Sequence, residues 1–142
     1  MSNRDYTHNA EESEKALERY LCELTKAHGG LALKYFNPNA TGYPDRILLF
    51  PDGEVLWVEL KSKGKHPTAL QSERIRRLRD DFRQQVYICD SREKADKIVG
   101  EREMRRRQRE KAAEGRAKIP EEVKTARNRA VAEAKRRKKA GL

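Results

Sequence analysis

The sequence predicts an α/β fold: a small core ordered helix, three-stranded meander, helix, strand, helix, followed by a basic C-terminal extension. Two observations carry this. Apolar spacing switches between three-to-four and two along the first hundred residues, and the charge is divided unevenly along the chain. The 142 residues suit one small domain, with 33 Lys/Arg against 23 Asp/Glu and a formal net charge of +10. Hydrophobic residues make up 36%, below the roughly 45–50% of an average globular domain. Residues 101–142 hold 16 Lys/Arg and 7 Asp/Glu, leaving 17 against 16 in residues 1–100. The expected organisation is therefore a nearly neutral domain over 1–100 and a basic tail over 101–142, helical or partly disordered. The tail has few large apolar residues (Met104, Ile119, Val123, Val131 and Leu142) and cannot bury a core alone. Ala, Glu, Lys and Arg favour a helix there, interrupted at Ile119-Pro120.

The elements follow in order. Residues 11–28 read as an amphipathic helix with Ala16, Leu17, Tyr20, Leu21, Leu24 and Ala27 on its apolar face, stopped by Gly29-Gly30. Leu31 to Phe36 is a short strand. Residues 37–44 are rich in Asn, Pro and Gly and form a loop. Arg46 to Phe50 and Glu54 to Lys61 are strands joined by a Pro51-Asp52-Gly53 turn. Thr68 is the N-cap of a helix reaching about Gln84, with Leu70, Ile75, Leu78 and Phe82 facing inward. Gln85 to Cys89 is the fourth strand, and Ser91 opens a short last helix with Ala95, Ile98 and Val99 inward.

No run of 18 apolar residues predicts a membrane span, and Met1 to Asn9 has no signal-peptide character. Cys22 and Cys89 are too few for a disulfide scaffold and read as inert thiols in packed elements, consistent with a reducing cytoplasm.

The stretch that bears chemistry is Gly42-Tyr43-Pro44-Asp45-Arg46 followed by Trp57-Val58-Glu59-Leu60-Lys61. Alternation places Val55, Trp57, Glu59 and Lys61 on one strand face and Leu56, Val58 and Leu60 on the other. Pairing across the hairpin brings Asp45 near the far end of the third strand, so two carboxylates and a lysine converge. Such oxygens suit a hard divalent cation, which takes one or two carboxylates plus water and phosphate. Glu-x-Lys also occurs at 122–124 and 133–135, but only 59–61 lies in an apolar strand pattern. The competing reading is an ordinary ion pair on a sheet face.

Pro44-Asp45 followed by Glu59-Leu60-Lys61 resembles the signature of PD-(D/E)XK nucleases. Gly-Tyr-Pro-Asp-Arg, then Val-Glu-Leu-Lys, then Leu70-Gln71, is similar to the VRR-NUC group, which includes small stand-alone proteins of phages and bacteria. The likeness spans roughly residues 14–99. It implies a Mg²⁺- or Mn²⁺-dependent phosphodiesterase with metal ligands Asp45, Glu59 and the Leu60 carbonyl. Lys61 would position the attacking water or stabilise the transition state, and Gln71 would support the site. Glu18-Arg19-Tyr20-Leu21, ending at His28-Gly29, is similar to the first helix of archaeal Holliday junction resolvases. That implies Glu18 as a further acid and possible ligand, with Glu14 one turn earlier as the alternative. The resemblance also implies branched DNA as substrate, a homodimer carrying two sites, and a host cytoplasm if the protein is phage-encoded.

Further DNA contacts are expected from Lys34, Arg46, Lys63 and Lys65, and from Arg105, Arg106, Arg107, Arg136 and Arg137 in the tail. Solvated or ion-paired roles are the alternative for each. His8, His28 and His66 have no metal-like spacing. The rival functions are a nicking or end-processing nuclease without junction preference, a non-catalytic DNA-binding module, and a nucleoid-type protein acting through the tail alone.

Overall fold

The computed structural model describes residues 3–141 and, within the first helix, the side chains from Glu14 onward. His8's side chain and Leu142 lie outside the described residues. The chain divides into two compact units, with the boundary between Glu103 and Met104.

The first unit holds α1 (Asn3–Ala27), β1 (Leu31–Lys34), β2 (Arg46–Leu49), β3 (Val55–Leu60), α2 (Ala69–Asp80), β4 (Gln85–Cys89) and the start of α3 (Arg92–Ala117). The sheet order is β1-β2-β3-β4. The first two pairings are antiparallel, and β4 joins β3 in parallel through the α2 crossover. This is the predicted element order and meander.

One face of the sheet packs on α1 and the start of α3. Leu17 and Leu21 of α1, Leu48 of β2, Leu56, Val58 and Leu60 of β3, and Ala95 and Ile98 of α3 share one buried cluster. Each fully buried Leu or Val contributes roughly 1.5–3 kcal/mol relative to exposure. The other face carries a smaller cluster of Ile75, Leu78 and Val86, with Tyr43, Trp57 and Ile88 packed against it. The alternation expected for β3 therefore holds, with Trp57 on the α2 face.

Helix ends depart from expectation. Helix α1 starts earlier, at Asn3, and Ala16 and Ala27 are exposed. The buried residue in its last turns is Thr25, whose hydroxyl satisfies itself by donating to the Leu21 carbonyl at 2.7 Å. Gly29 adopts φ +75° after the helix. At Gly30 a β-carbon would come within 2.8 Å of the Phe50 ring, so the chain needs glycine to pass there.

Helix α2 ends at Asp80 rather than near Gln84, and Arg83 turns the chain at φ 52°. Phe82 thus falls beyond the helix and is 56% exposed, with the Arg77 guanidinium over its ring. Leu70, also expected inward, is exposed on one side and rests against Gly42.

Helix α3 is long, not short, and runs through Gly100 without a break. Its buried positions are Ala95, Ile98, Val99 and Arg102. Arg102 is 2% exposed, with ion pairs to Asp52 at 2.8 Å, Glu103 at 3.0 Å and Glu54 at 3.5 Å, and lies 4.0 Å over the Phe50 ring. The first unit therefore extends past the composition break at Gly100, because this arginine belongs to its core.

The second unit comprises the rest of α3 and α4 (Glu121–Lys139). Pro120 is the N-cap of α4, so the interruption falls where Ile119-Pro120 predicts. Arg136, Arg137, Lys138 and Lys139 occupy its last turn, where cations suit the helix dipole.

Candidate active site

The site is built where β2 begins and β3 ends. Gly42, at φ +89°, and buried Pro44 bend the loop into β2. The Tyr35 amide donates to the Asp45 carbonyl at 2.8 Å, extending the β1–β2 ladder one step beyond Lys34↔Arg46. On β3 the register pairs Arg46 with Val58. The next inward-pointing amide, that of Leu60, has no β2 backbone partner and donates instead to Asp45 Oδ2 at 3.0 Å. The following amide, Lys61 N–H, faces β4 and donates to the Cys89 carbonyl. Asp45 is thereby fixed against the end of β3.

Glu59 is 2% exposed. Its Oε1 accepts from Gln71 Nε2 at 2.8 Å and lies 3.5 Å from Lys61 Nζ. Its Oε2 is buried and, among the described residues, has no hydrogen-bond partner. Burial, reinforced by the charge of Asp45 and opposed by Lys61, pushes the Glu59 carboxyl up to about 7.

Gln71 is held from its other end. Thr68 N–H donates to Gln71 Oε1 at 2.9 Å, and Gln71 N–H donates to Thr68 Oγ1 at 3.2 Å, closing a capping box at the start of α2.

An open cleft of about 550 Å³ is lined by Glu14, Lys15, Glu18, Lys34, Asp45 and Leu60. Both helix acids reach it, in different ways. Glu18 is ion-paired with the Arg46 guanidinium. Glu14 Oε2 accepts from Ser62 Oγ at 3.1 Å and adds its charge to the field that raises Glu59.

The structure thus brings together Asp45, Glu59, the Leu60 backbone, Lys61 and Gln71, with Glu14, Glu18 and Lys34 along the cleft. Arg46 is turned to Glu18. Lys63 and Lys65 are exposed on the loop after β3. In the second unit Arg106 pairs with Glu110 at 2.6 Å and Arg137 with Glu133 at 2.8 Å. Tyr43 stacks edge-on to Tyr35 and lies under Arg74, and Trp57 packs against Tyr35 and donates to Gln84, so both belong to packing around the loop.

Sequence reading did not find three members of this network: the Thr68–Gln71 box as a prop for Glu59, the Ser62–Glu14 bond, and the Glu18–Arg46 pair. Thr68-x-x-Gln71 has the spacing of a capping box and could have been read. The other two depend on the crossing of α1 over the sheet, which no local pattern encodes.

At the end of the central strands of this α/β sheet two carboxylates and a lysine thus meet a glutamine from the start of α2. No family model matches the chain. It is 35% identical over 78 residues to "Putative nuclease p44" of Acyrthosiphon pisum secondary endosymbiont phage 1, covering 55% of this chain and 83% of that protein. A solved structure titled "VRR_NUC domain" matches at TM-score 0.58 and 27% identity, over 62% of this chain and 95% of that one. The chain belongs to the VRR_NUC domain family.

Proposed function

We propose that this protein is a Mg²⁺- or Mn²⁺-dependent endonuclease that hydrolyses DNA phosphodiester bonds. The observation that carries it is Glu59 Oε2, a buried carboxylate oxygen without a partner beside a second carboxylate. Leaving such a group unsatisfied costs about 1–3 kcal/mol, more when charged, and a divalent cation satisfies it. Among the described residues no group of three or more His, Cys, Asp and Glu converges on a metal position. Asp45, Glu59 and the Leu60 carbonyl are the ligands that fit, with water completing the shell, as suits Mg²⁺.

A divalent cation supplies Lewis acidity at the phosphoryl oxygens. The chain's own residues do the rest. Lys61 holds Glu59 and presents an ammonium to the negative charge that grows on the phosphate. Gln71 fixes the Glu59 carboxylate. Glu14 and Glu18 line the α1 side of the cleft, Glu18 with its charge offset by Arg46. Lys34 in the cleft, and Lys63 and Lys65 on the exposed loop after β3, offer cations to DNA.

The preferred substrate in this reading is branched DNA, such as a four-way junction, cut by two sites in a homodimer. The basic second unit, through Arg105, Arg106, Arg107, Arg136 and Arg137, contacts phosphates. Cleavage of plasmid and synthetic four-way junctions with Mg²⁺, Mn²⁺ or EDTA tests it. Metal-dependent cutting with junction preference is expected. Cutting of linear duplex and junction alike supports a nicking or end-processing nuclease instead, and DNA binding without cleavage in any metal overturns the catalytic reading.

A further inference from the structure

We infer that the backbone N–H of Thr68 is a positioning group for the active site: it sets which way the Gln71 carboxamide faces and, through it, the rotamer of Glu59. This rests on the metal-dependent reading above.

Donors and acceptors fix the orientation of the glutamine. An amide N–H can only donate, so the Gln71 atom facing Thr68 N at 2.9 Å must be Oε1. That leaves Nε2 at the other end, where it meets Glu59 Oε1 at 2.8 Å. In the ionised form that binds a cation, Glu59 can only accept, so the two ends of the glutamine demand the same orientation. With Oε1 of Glu59 taken by Gln71 and Lys61, Oε2 is left buried and open. The N-terminus of α2 and the carboxylate are therefore one hydrogen-bonded chain from the Thr68 backbone to Glu59 Oε1. Partners that orient a ligand in this way commonly affect metal affinity by roughly 10–100-fold.

The backbone of Thr68 makes the idea testable. Its φ is −64°, which proline adopts without change. Thr68→Pro removes the N–H and the hydroxyl, Thr68→Ala removes the hydroxyl alone, and Thr68→Ser keeps both. The contrast between Pro and Ala isolates the N–H. The full-length chain is titrated with Mn²⁺ by calorimetry, and the Gln71 side-chain amide is followed by ¹⁵N–¹H NMR, assigned with Gln71→Ala. Circular dichroism checks that helix content is kept.

Thr68→Pro is expected to weaken Mn²⁺ binding by roughly tenfold and to move the Gln71 amide signals to solvent-exposed positions. Thr68→Ala should weaken it by less than about threefold, and Thr68→Ser should match the unaltered chain. Equal Mn²⁺ affinity and equal Gln71 signals in Thr68→Pro and Thr68→Ala overturn the inference. Should Thr68→Pro fail to fold, amide exchange decides. Thr68 N–H protected in the unaltered chain and released in Gln71→Ala supports the link, and an unprotected Thr68 N–H overturns it. If the unaltered chain binds no Mn²⁺, the metal-dependent reading fails on its own, while the NMR and exchange readouts still decide the positioning link.

Discussion

The Leu60 amide donates to Asp45 Oδ2 at 3.0 Å, joining residues fifteen apart at the point where β2 runs out of backbone to offer β3. The bond makes Asp45 the last rung between β2 and β3, and its charge is the main one that raises the Glu59 carboxyl. Asparagine at 45 keeps a carbonyl oxygen for the Leu60 amide but loses the charge. Asp45→Asn should keep the melting temperature within a few degrees in EDTA. Cleavage should fall by roughly 10²-fold or more, with the Mg²⁺-induced rise in melting temperature abolished. Near-normal cleavage removes Asp45 from the site.

Glu59 sets a pH dependence in metal-free protein. Its carboxyl is raised from the usual 4.5 to about 7 by burial and by Asp45. Between these values the folded state holds more protons than the unfolded one, so stability falls as pH rises through this window. The decrease, on the order of 1–3 kcal/mol, is complete above about pH 7 and absent below about pH 4.5. Denaturation in EDTA at pH 5 and pH 8 should show the wild type losing more stability than Glu59→Gln, which has no such proton. Mg²⁺ should restore much of the difference at pH 8. Parallel pH profiles for the two proteins contradict the assignment.

Lys61 stands 3.5 Å from Glu59 with its side chain mostly buried. A structural lysine and a catalytic one differ in what their removal changes. If the ammonium acts on charge that develops only in the transition state, Lys61→Ala should lower kcat by roughly 10²-fold while Mn²⁺ affinity changes far less. Equal falls in rate and metal affinity would instead mean that Lys61 only steadies Glu59.

Most of the first unit was legible because its signals are local. Alternation in Leu56, Val58 and Leu60 against Trp57 and Glu59 fixed the faces of β3, and Asp45 and Glu59 met because a hairpin turn sets register. What escaped depends on packing between distant segments. Helix α3 continues through Gly100, where composition marks a break, because Arg102 is satisfied by Asp52 and Glu54 on the β2–β3 hairpin. Phe82 reads as helical and apolar, yet α2 stops at Asp80 and the ring is left outside. The Glu18–Arg46 pair joins residues 28 positions apart, which no motif spacing reports.

Arg102 gives a stability prediction. Arg102→Ala leaves Glu54 buried without its guanidinium and empties the space over Phe50. Removing one partner of a buried ion pair costs about 3–5 kcal/mol. Chemical denaturation of the full chain should show a destabilisation of that order, with the cleavage rate of the folded fraction little changed. A value under about 1 kcal/mol would show that Asp52, Glu54 and Glu103 are satisfied without Arg102.

The same arginine decides where the basic unit can be removed. Residues 104–142 carry 15 Lys/Arg and 5 Asp/Glu, so truncation after Glu103 removes the chain's whole formal excess of positive charge. Truncation after Gly100 also removes Arg102, and that shorter chain should be the less stable by the margin of Arg102→Ala. If the second unit lies on DNA, truncation after Glu103 should weaken binding at low salt. It should also flatten log K against log salt by roughly 0.9 for each phosphate that is no longer neutralised. Arg136→Gln with Arg137→Gln in the full chain should flatten it by up to about 1.8, without any question of folding. Cleavage at high enzyme concentration should persist in all of these, since Asp45, Glu59, Lys61 and Gln71 are intact. An unchanged salt slope after truncation would make the second unit a solvated or protein-binding helix pair, and phosphate binding would then fall to Lys34 in the cleft and to Lys63 and Lys65 on the exposed loop after β3.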